Sequence, residues 1–186
     1  MAKIGLNNFR YGKATIGQDG SITYGPGYKP GKAVTFSFEP TKSDAKLYAD
    51  DGLAESDTSV TGGTCTIGID RFDDTTMAAL LGHTETNGEV VSSINDTAPY
   101  VGLGRITRLM IDGVQKYRVT FLAQVVFSEP SQEDNTRGES IEFTTYELEG
   151  NVIIPANGEW RKEKTFDTET AAVSYLEGLF GTTPSL

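Results

Sequence analysis

The strongest constraint on the fold is an Asp-Gly pair with a long alternating segment on each side. Asp112-Gly113 follows residues 101–111 and precedes residues 115–127. Asp-Gly favours a two-residue turn between antiparallel strands, because both residues tolerate the positive φ that such a turn requires. Strands this long exceed the usual five or six residues and favour a barrel or a large shared sheet. In the second strand we expect alternate residues on one face: Tyr117, Val119, Phe121, Ala123, Val125 and Phe127.

The N-terminal third predicts a second hairpin and a separate strand. Residues 11–16 and 21–24 flank Asp19-Gly20, another turn sequence. Farther on, Val34, Phe36 and Phe38 alternate and are expected on one face of a strand. Pro40 either ends that strand or places it at the edge of a sheet, because proline cannot donate a ladder hydrogen bond.

Two more segments have strand periodicity. Cys65, Ile67 and Ile69 alternate, so the single cysteine is expected to be a small buried apolar residue. Within residues 141–154, the alternation of apolar residues shifts by one position. Ile141 and Phe143 are at odd-numbered positions, whereas the later apolar residues are at even-numbered positions, namely Tyr146, Leu148, Val152 and Ile154. A β-bulge near Thr144-Thr145 would place both sets on the same face.

Two short helices complete the prediction of a mainly β fold. Asp73 is expected to cap a helix that ends at Gly82. Asp167 is expected to cap the second helix, which has two adjacent apolar stripes: Ala171, Tyr175 and Leu179 beside Ala172, Leu176 and Phe180. Both helices are expected to pack on the sheet.

Three polar stretches interrupt the strands at about residues 50–63, 84–97 and 129–139. Loops of this length in a compact domain are usually functional or disordered. The sequence thus predicts a single domain over residues 1–186 with an N-terminal hairpin and long loops.

The charge disfavours nucleic-acid readers and anionic membranes as partners. The net charge is −10, which repels phosphate groups. It is also segregated: residues 1–49 carry seven basic and three acidic groups, and residues 50–102 carry one basic and ten acidic groups. Such alternation suits a subunit that binds its own copies, although chance segregation over a solvated surface explains it equally well.

The sequence predicts neither an active site nor a cofactor. The single histidine, His83, is expected in a solvent-exposed loop, with no nucleophile motif around it. One cysteine and one histidine cannot form a structural zinc site alone. A carboxylate pair among Glu142, Glu147 and Glu149 would suit glycoside hydrolysis, but a hydrolase is the least favoured class. We therefore expect no enzyme activity, no cofactor and no metal.

Eight segments of the chain form a recognisable series by their order and spacing. They cover residues 4–11, 36–40, 47–52, 62–69, 80–82, 127–130, 137–143 and 146–152. The strongest signals are Arg137-Gly138-Glu139 and Glu149-Gly150. Together the segments resemble the major tail protein of non-contractile, long-tailed bacteriophages of Gram-positive hosts.

The resemblance implies a β-sandwich or barrel-like tail-tube fold with one flanking helix, a second short helix and long loops. It also implies hexameric rings that stack into a tube within the virion tail, assembled in the host cytoplasm. The implied partners are further copies of the chain, a tape-measure protein, and tail-tip and terminator proteins. DNA would pass through without specific binding, and no membrane is involved. The alternatives are the tube subunit of a contractile tail or injection apparatus, and a virion-surface β-sandwich module that binds carbohydrate or protein.

Two sets of residues are candidates for roles in such a tube. Acids on the polar parity of the strands would face the lumen and repel DNA: Glu39, Asp70, Glu142, Glu147 and Glu149. Charged residues of the polar stretches would contact neighbouring subunits or rings: Asp50, Asp51, Glu55, Asp57, Glu133, Asp134 and Arg137.

Overall fold

A computed structural model describes residues 2–49, 52–131 and 145–181 of the chain. These residues form mainly strands, with two helices, so the prediction of a mainly β fold with one flanking and one short helix is confirmed. The elements in chain order are β1 Ala2–Ile16, β2 Ile22–Tyr24, β3 Ala33–Ala49, β4 Gly52–Ile69, α1 Asp74–Leu81, β5 Thr84–Thr86, β6 Glu89–Val91, β7 Val101–Ile111, β8 Val114–Phe127, β9 Tyr146–Ile153, β10 Arg161–Phe166 and α2 Glu169–Gly178.

Eight strands form one antiparallel sheet in the order β2-β1-β7-β8-β9-β4-β3. The eighth strand, β10, pairs with residues 117–122 of β8, whereas β9 pairs with residues 125–127 of the same strand. The sheet therefore branches along β8. Strands β5 and β6 form a separate small hairpin.

Both predicted hairpins are confirmed. Ile111 lies opposite Val114, and the two turn residues between them have positive φ, 49° at Asp112 and 77° at Gly113. The N-terminal hairpin pairs Ile16 with Ile22, and β1 extends back to Ala2, farther than the sequence indicated.

The prediction that alternate residues of β8 share one face is wrong. Val101 pairs with Val125, but Leu103 pairs with Leu122, so β8 carries one extra residue between these positions. A bulge of this kind transfers the following residues to the other face. Val119 and Phe121 consequently pack on α2, whereas Val125 and Phe127 join the opposite core.

Two apolar cores lie on opposite faces of β7 and β8. The larger takes residues from β1, β4, β7, β8, β9 and α1, which requires the sheet to curl around it. The Phe9 and Phe36 rings are 6.2 Å apart and join β1 to β3 across the curl. The larger core contains Phe9, Tyr11, Cys65, Ile67, Ile69, Leu80, Leu81, Val101, Leu103, Leu122, Val125, Phe127, Leu148 and Val152. The smaller lies under α2 and contains Ile106, Val119, Phe121, Ala172, Leu176 and Phe180.

The predicted pattern of β3 needs one correction. Pro40 lies within β3, the last strand of the sheet, so its edge placement is confirmed. Val34, however, is 45% exposed and does not share the inward face of Phe36 and Phe38. Ala33 pairs with Ile69 and Thr35 with Gly68, which leaves Val34 as the extra residue of a bulge.

Predictions for β4 and β9 largely agree with the structure. Cys65, Ile67 and Ile69 are fully buried, and burial raises the pKa of the Cys65 thiol to about 12, as expected of an inert apolar position. Leu148 and Val152 are also buried, but Tyr146, at the start of β9, is 46% exposed. The predicted bulge near residues 144–145 involves Thr144, which lies outside the described residues.

The helix prediction is correct for α1 and one residue off for α2. The Thr76 amide donates to Asp73 Oδ1 (2.8 Å), and Gly82 ends α1 with φ of 80°. In α2 the cap is Thr168, whose Oγ1 accepts from the Ala171 amide (3.3 Å). Asp167 forms an ion pair with Lys116 instead. Of the two predicted stripes, the buried one is Ala172, Leu176 and Phe180.

The predicted polar loops are partly strand. Residues 52–63 belong to β4, because Thr58, Val60 and Thr61 are β-branched residues that suit an extended ladder. Residues 84–97 contain the β5–β6 hairpin. Of the stretch 129–139, only residues 129–131 are described. Neither described helix has the length and apolar character needed to span a membrane.

Candidate assembly surface

Three of the five predicted lumen acids lie on one face of the β3–β4–β9 part of the sheet. Thr66 of β4 lies between Ser37 of β3 and Glu149 of β9. Along the same face, Glu39 pairs with Thr64, and Glu147 pairs with Gly68. Residues directly opposite one another in a ladder share a face. Glu39, Glu147 and Glu149 are all exposed, so the sheet presents them to solvent together.

The larger core lies against the opposite face of the same strands. The side chains of the three glutamates must therefore point away from the core. Cys65, Ile67 and Leu148 alternate with the polar positions and are fully buried. A register slip of one residue would bury the glutamates and expose the apolar set, so the register is strongly specified. The segments 35–39, 64–68 and 147–151 contain three glutamates and no lysine or arginine. This outer face, hereafter the acidic face, is therefore negatively charged.

The other two predicted acids are not part of the acidic face as described. Asp70 follows the last residue of β4, and its Oδ1 accepts the Lys32 amide hydrogen (2.7 Å). The Asp70 amide in turn donates to the Lys32 carbonyl (3.2 Å). Asp70 thus links the residue after β4 to the residue before β3 through two hydrogen bonds. Glu142 lies outside the described residues.

The predicted inter-subunit residues fall at the far end of the β3–β4 hairpin or outside the described residues. Glu55 and Asp57 lie in β4, opposite Leu47 and Ala45 of β3, so they are on a strand and not on a loop. Five others lie outside the described residues: Asp50, Asp51, Glu133, Asp134 and Arg137.

The β3–β4 hairpin continues well past the rest of the sheet. Among the described strands, β9 pairs with β4 only from Gly62 to Ile69. From Lys42 to Ala49, β3 continues to pair with β4 alone. Eight residues of strand span about 26 Å. We refer to residues 42–49 and 52–61 as the ribbon.

His83 differs from its predicted environment. Its side chain is only 6% exposed, whereas the sequence suggested a solvent-exposed histidine. Nδ1 lies 2.8 Å from Asp96 Oδ2, and Nε2 lies 2.6 Å from Glu129 Oε1. The hydrogen bond to Asp96, supplemented by Glu129, raises the pKa of His83 above its ordinary value despite partial burial. No sequence pattern indicated this contact, because Asp96 and Glu129 are distant in the chain.

The His83 arrangement joins three segments and leaves no nitrogen available as a base. Asp96 Oδ2 also accepts the Ser93 amide hydrogen (2.8 Å), and this bond and the one to His83 lower the pKa of Asp96. Both ring nitrogens of His83 already have carboxylate partners. The contact therefore anchors the 93–96 turn and the segment after β8 to the end of α1. Within the described residues, no group of three or more His, Cys, Asp or Glu side chains is placed to hold a metal ion.

No protein-family model matches the chain, and no curated protein sequence matches it significantly.

Proposed function

We propose that the chain is the major tail-tube subunit of a long-tailed, non-contractile bacteriophage. In this role it is a structural protein without enzyme activity. It polymerises as stacked hexameric rings in the host cytoplasm, and the finished tube is the virion's conduit for DNA ejection. The family resemblance of the sequence motivates the proposal, and two features of the fold support it.

The observation that carries the proposal is the ribbon. A two-stranded hairpin is marginally stable in water without further strands or a packed partner. Here the ribbon extends about 26 Å past the sheet. Among the described strands, β3 pairs with β4 alone over its whole length, which leaves one row of backbone groups that a neighbouring chain can pair with or cover. A second copy of the chain would stabilise both features.

The acidic face supports the conduit function. Duplex DNA carries about one negative charge per 1.7 Å of its axis. A wall formed by Glu39, Glu147 and Glu149 repels that charge and lets DNA slide without being bound. In this arrangement DNA is cargo that passes along the wall, and no base or phosphate is recognised.

The remaining partners come from the resemblance alone. A tape-measure protein would set the tube's length, and tail-tip and terminator proteins would occupy its two ends. A contractile tail or injection apparatus would use a tube subunit of the same kind, so the type of tail is the less specific part of the proposal.

Negative-stain electron microscopy of the purified full chain over a range of concentrations tests the proposal. We expect rings with a central hole, stacked into tubes as the concentration rises. A chain that stays monomeric at every concentration, also after addition of tail-tip proteins, and that binds a glycan or a surface protein would contradict the tube and support the binding module.

A further inference from the structure

A cavity of about 450 Å³ is lined by residues of β1, β3, β7 and β10. Its lining combines aromatic rings with positive charge. Phe36 and Phe38 contribute the rings, and three cations face the same space: Lys3, Arg105 and Arg161. Among the described residues that line it, Glu163 is the single acid. In a chain of net charge −10, this local excess of positive charge is unusual.

Arg105 is held in this cavity at an electrostatic cost. Its Cζ lies 3.9 Å from the centre of the Phe36 ring, and Nη1 donates to Thr107 Oγ1 (2.7 Å). Its Nε is buried without a hydrogen-bond partner among the described residues. Burial lowers the pKa of Arg105 to about 10. The negative charge of Glu163 opposes this shift only in part. A half-buried cation whose side-chain hydrogen bond goes to a neutral hydroxyl is stabilised when a further carboxylate binds it.

Two of the other charges at the cavity, Arg161 and Glu163, also contact neighbouring side chains. Arg161 Cζ lies 4.7 Å from the centre of the Trp160 ring, which itself lies 5.4 Å from Phe38. Glu163 Oε1 accepts from Thr120 Oγ1 (3.1 Å). Within the described part of the chain, no carboxylate forms an ion pair with Lys3, Arg105 or Arg161. Arg105 and Arg161 are therefore held by neighbouring side chains while their charges, together with that of Lys3, line an open space.

We propose that this cavity binds the acidic end of the ribbon of a second copy of the chain. Residues 44–57 contain five acidic residues and one lysine, the charge complement of the cavity lining. Carboxylates on this segment would pair with the three cations, and its apolar residues would contact Phe36 and Phe38. The inference rests on the proposed function, because it names the surface that receives the ribbon during self-assembly.

The ribbon cannot fill the cavity of its own molecule. Phe38 lines the cavity, and β3 continues from it as a paired strand to Ala49. Those eleven residues carry the ribbon's end about 36 Å away. The ligand must therefore come from another copy.

Binding of a synthetic peptide of residues 44–57 to the full chain tests the proposal. The chain contains a single tryptophan, Trp160, which contacts Arg161 at the cavity and reports occupancy through its fluorescence. We expect saturable peptide binding that weakens with salt, as fluorescence anisotropy of a labelled peptide would show. The control peptide carries Asn and Gln in place of the five acids and should not bind.

Two variants of β10 locate the binding site. Arg161→Gln removes a cation of the cavity and should weaken peptide binding about fivefold to tenfold. Lys164→Gln is the matched control, because Lys164 lies on the same strand but contacts Phe166 and Tyr175 near α2, so binding should be unchanged. Circular dichroism and thermal midpoints would establish that both variants fold.

Several outcomes would overturn the proposal. These are equal binding of the acidic and neutral peptides, equal weakening by the two variants, or binding of a duplex oligonucleotide to a chain that does not bind the peptide. Failure of the two proposals is distinguishable. If the peptide binds as described but no tubes form, the tube function fails and the recognition stands. If Lys3→Gln/Arg161→Gln chains bind no peptide and still form normal tubes, the cavity has no part in self-assembly, so the inference fails and the tube function stands.

Discussion

At the scale of single residues, the ionisation of His83 couples the stability of the fold to pH. Ionised carboxylates only accept hydrogen bonds, so contact with both Asp96 and Glu129 requires a proton on each ring nitrogen. The folded chain therefore favours the imidazolium, in agreement with its raised pKa. Since the folded pKa lies above the ordinary 6.5, this stabilisation is fully present below pH 6.5 and is lost as pH rises through the folded pKa.

We expect His83→Gln to lower the thermal midpoint most at mildly acidic pH. The difference from the unchanged chain should shrink steadily toward alkaline pH, where the wild-type imidazole is neutral. The lowered pKa of Asp96 matters at acidic pH. The ionised Asp96 stabilises the fold above pH 3.8, and this stabilisation is lost as pH falls through the lowered pKa. Thermal denaturation of both chains across a pH series measures the effect. Glu89→Gln, an exposed change in β6, is the control, and a His83→Gln deficit independent of pH would contradict the assignment.

At the scale of elements, the packing of α2 on the sheet includes one side chain that fills the space left by a glycine in β7. Leu176 is 1% exposed in the smaller core. Its Cδ1 lies only 2.3 Å from the position that a Cβ on Gly104 would take. Leu176→Ala should lower the free energy of unfolding by about 2–5 kcal/mol because it leaves a cavity under the helix. Gly104→Ala should cost about 1–3 kcal/mol because the added methyl group displaces Leu176.

The two changes should not be additive, because in the double variant the new methyl group occupies part of the vacated space. Urea denaturation of the four chains in this cycle gives the coupling energy. Ala171→Gln, at an exposed position of the same helix, should change stability by less than about 0.5 kcal/mol. Strict additivity would show that α2 does not contact β7 through this gap.

The elements that the sequence predicts well are those fixed by local chemistry. Asp112-Gly113 and the Asp73 and Gly82 caps depend on the backbone preferences of a few adjacent residues. The bulges at Val34 and near Leu122 were not predictable, because a cross-strand partner decides which residue is extra. At α2, Asp167 and Thr168 are both good caps, and the ion pair with Lys116 removes the first from that role.

The same division applies to the candidate site. Strand parity alone predicted that Glu147 and Glu149 share a face, because alternation is a local property. It could not show that Glu39 joins them or that Asp70 does not, since both depend on the pairing of β3 with β4. The cationic cavity and the His83 contact were missed for the same reason: their members come from different strands and loops.

At the scale of the whole molecule, the proposed tube function makes the sign of charge on the acidic face decisive for how the tube interacts with DNA. We expect tubes of the triple variant Glu39→Lys/Glu147→Lys/Glu149→Lys to retain duplex DNA, because a wall of lysines attracts phosphates. Tubes of the unchanged chain should retain none. Because the three side chains are exposed and lie opposite the larger core, the variant should still fold.

Nuclease protection separates DNA inside the tube from DNA on its outer surface. The control Asp74→Lys/Glu85→Lys/Glu89→Lys makes the same change in net charge at exposed positions of α1, β5 and β6. DNA held by the triple variant should resist digestion and be released by salt, whereas any DNA bound by the control tubes should be digested. Equal protection in both, or none in either, would place the acidic face elsewhere than the lumen, because only a lumenal wall encloses the DNA that it binds.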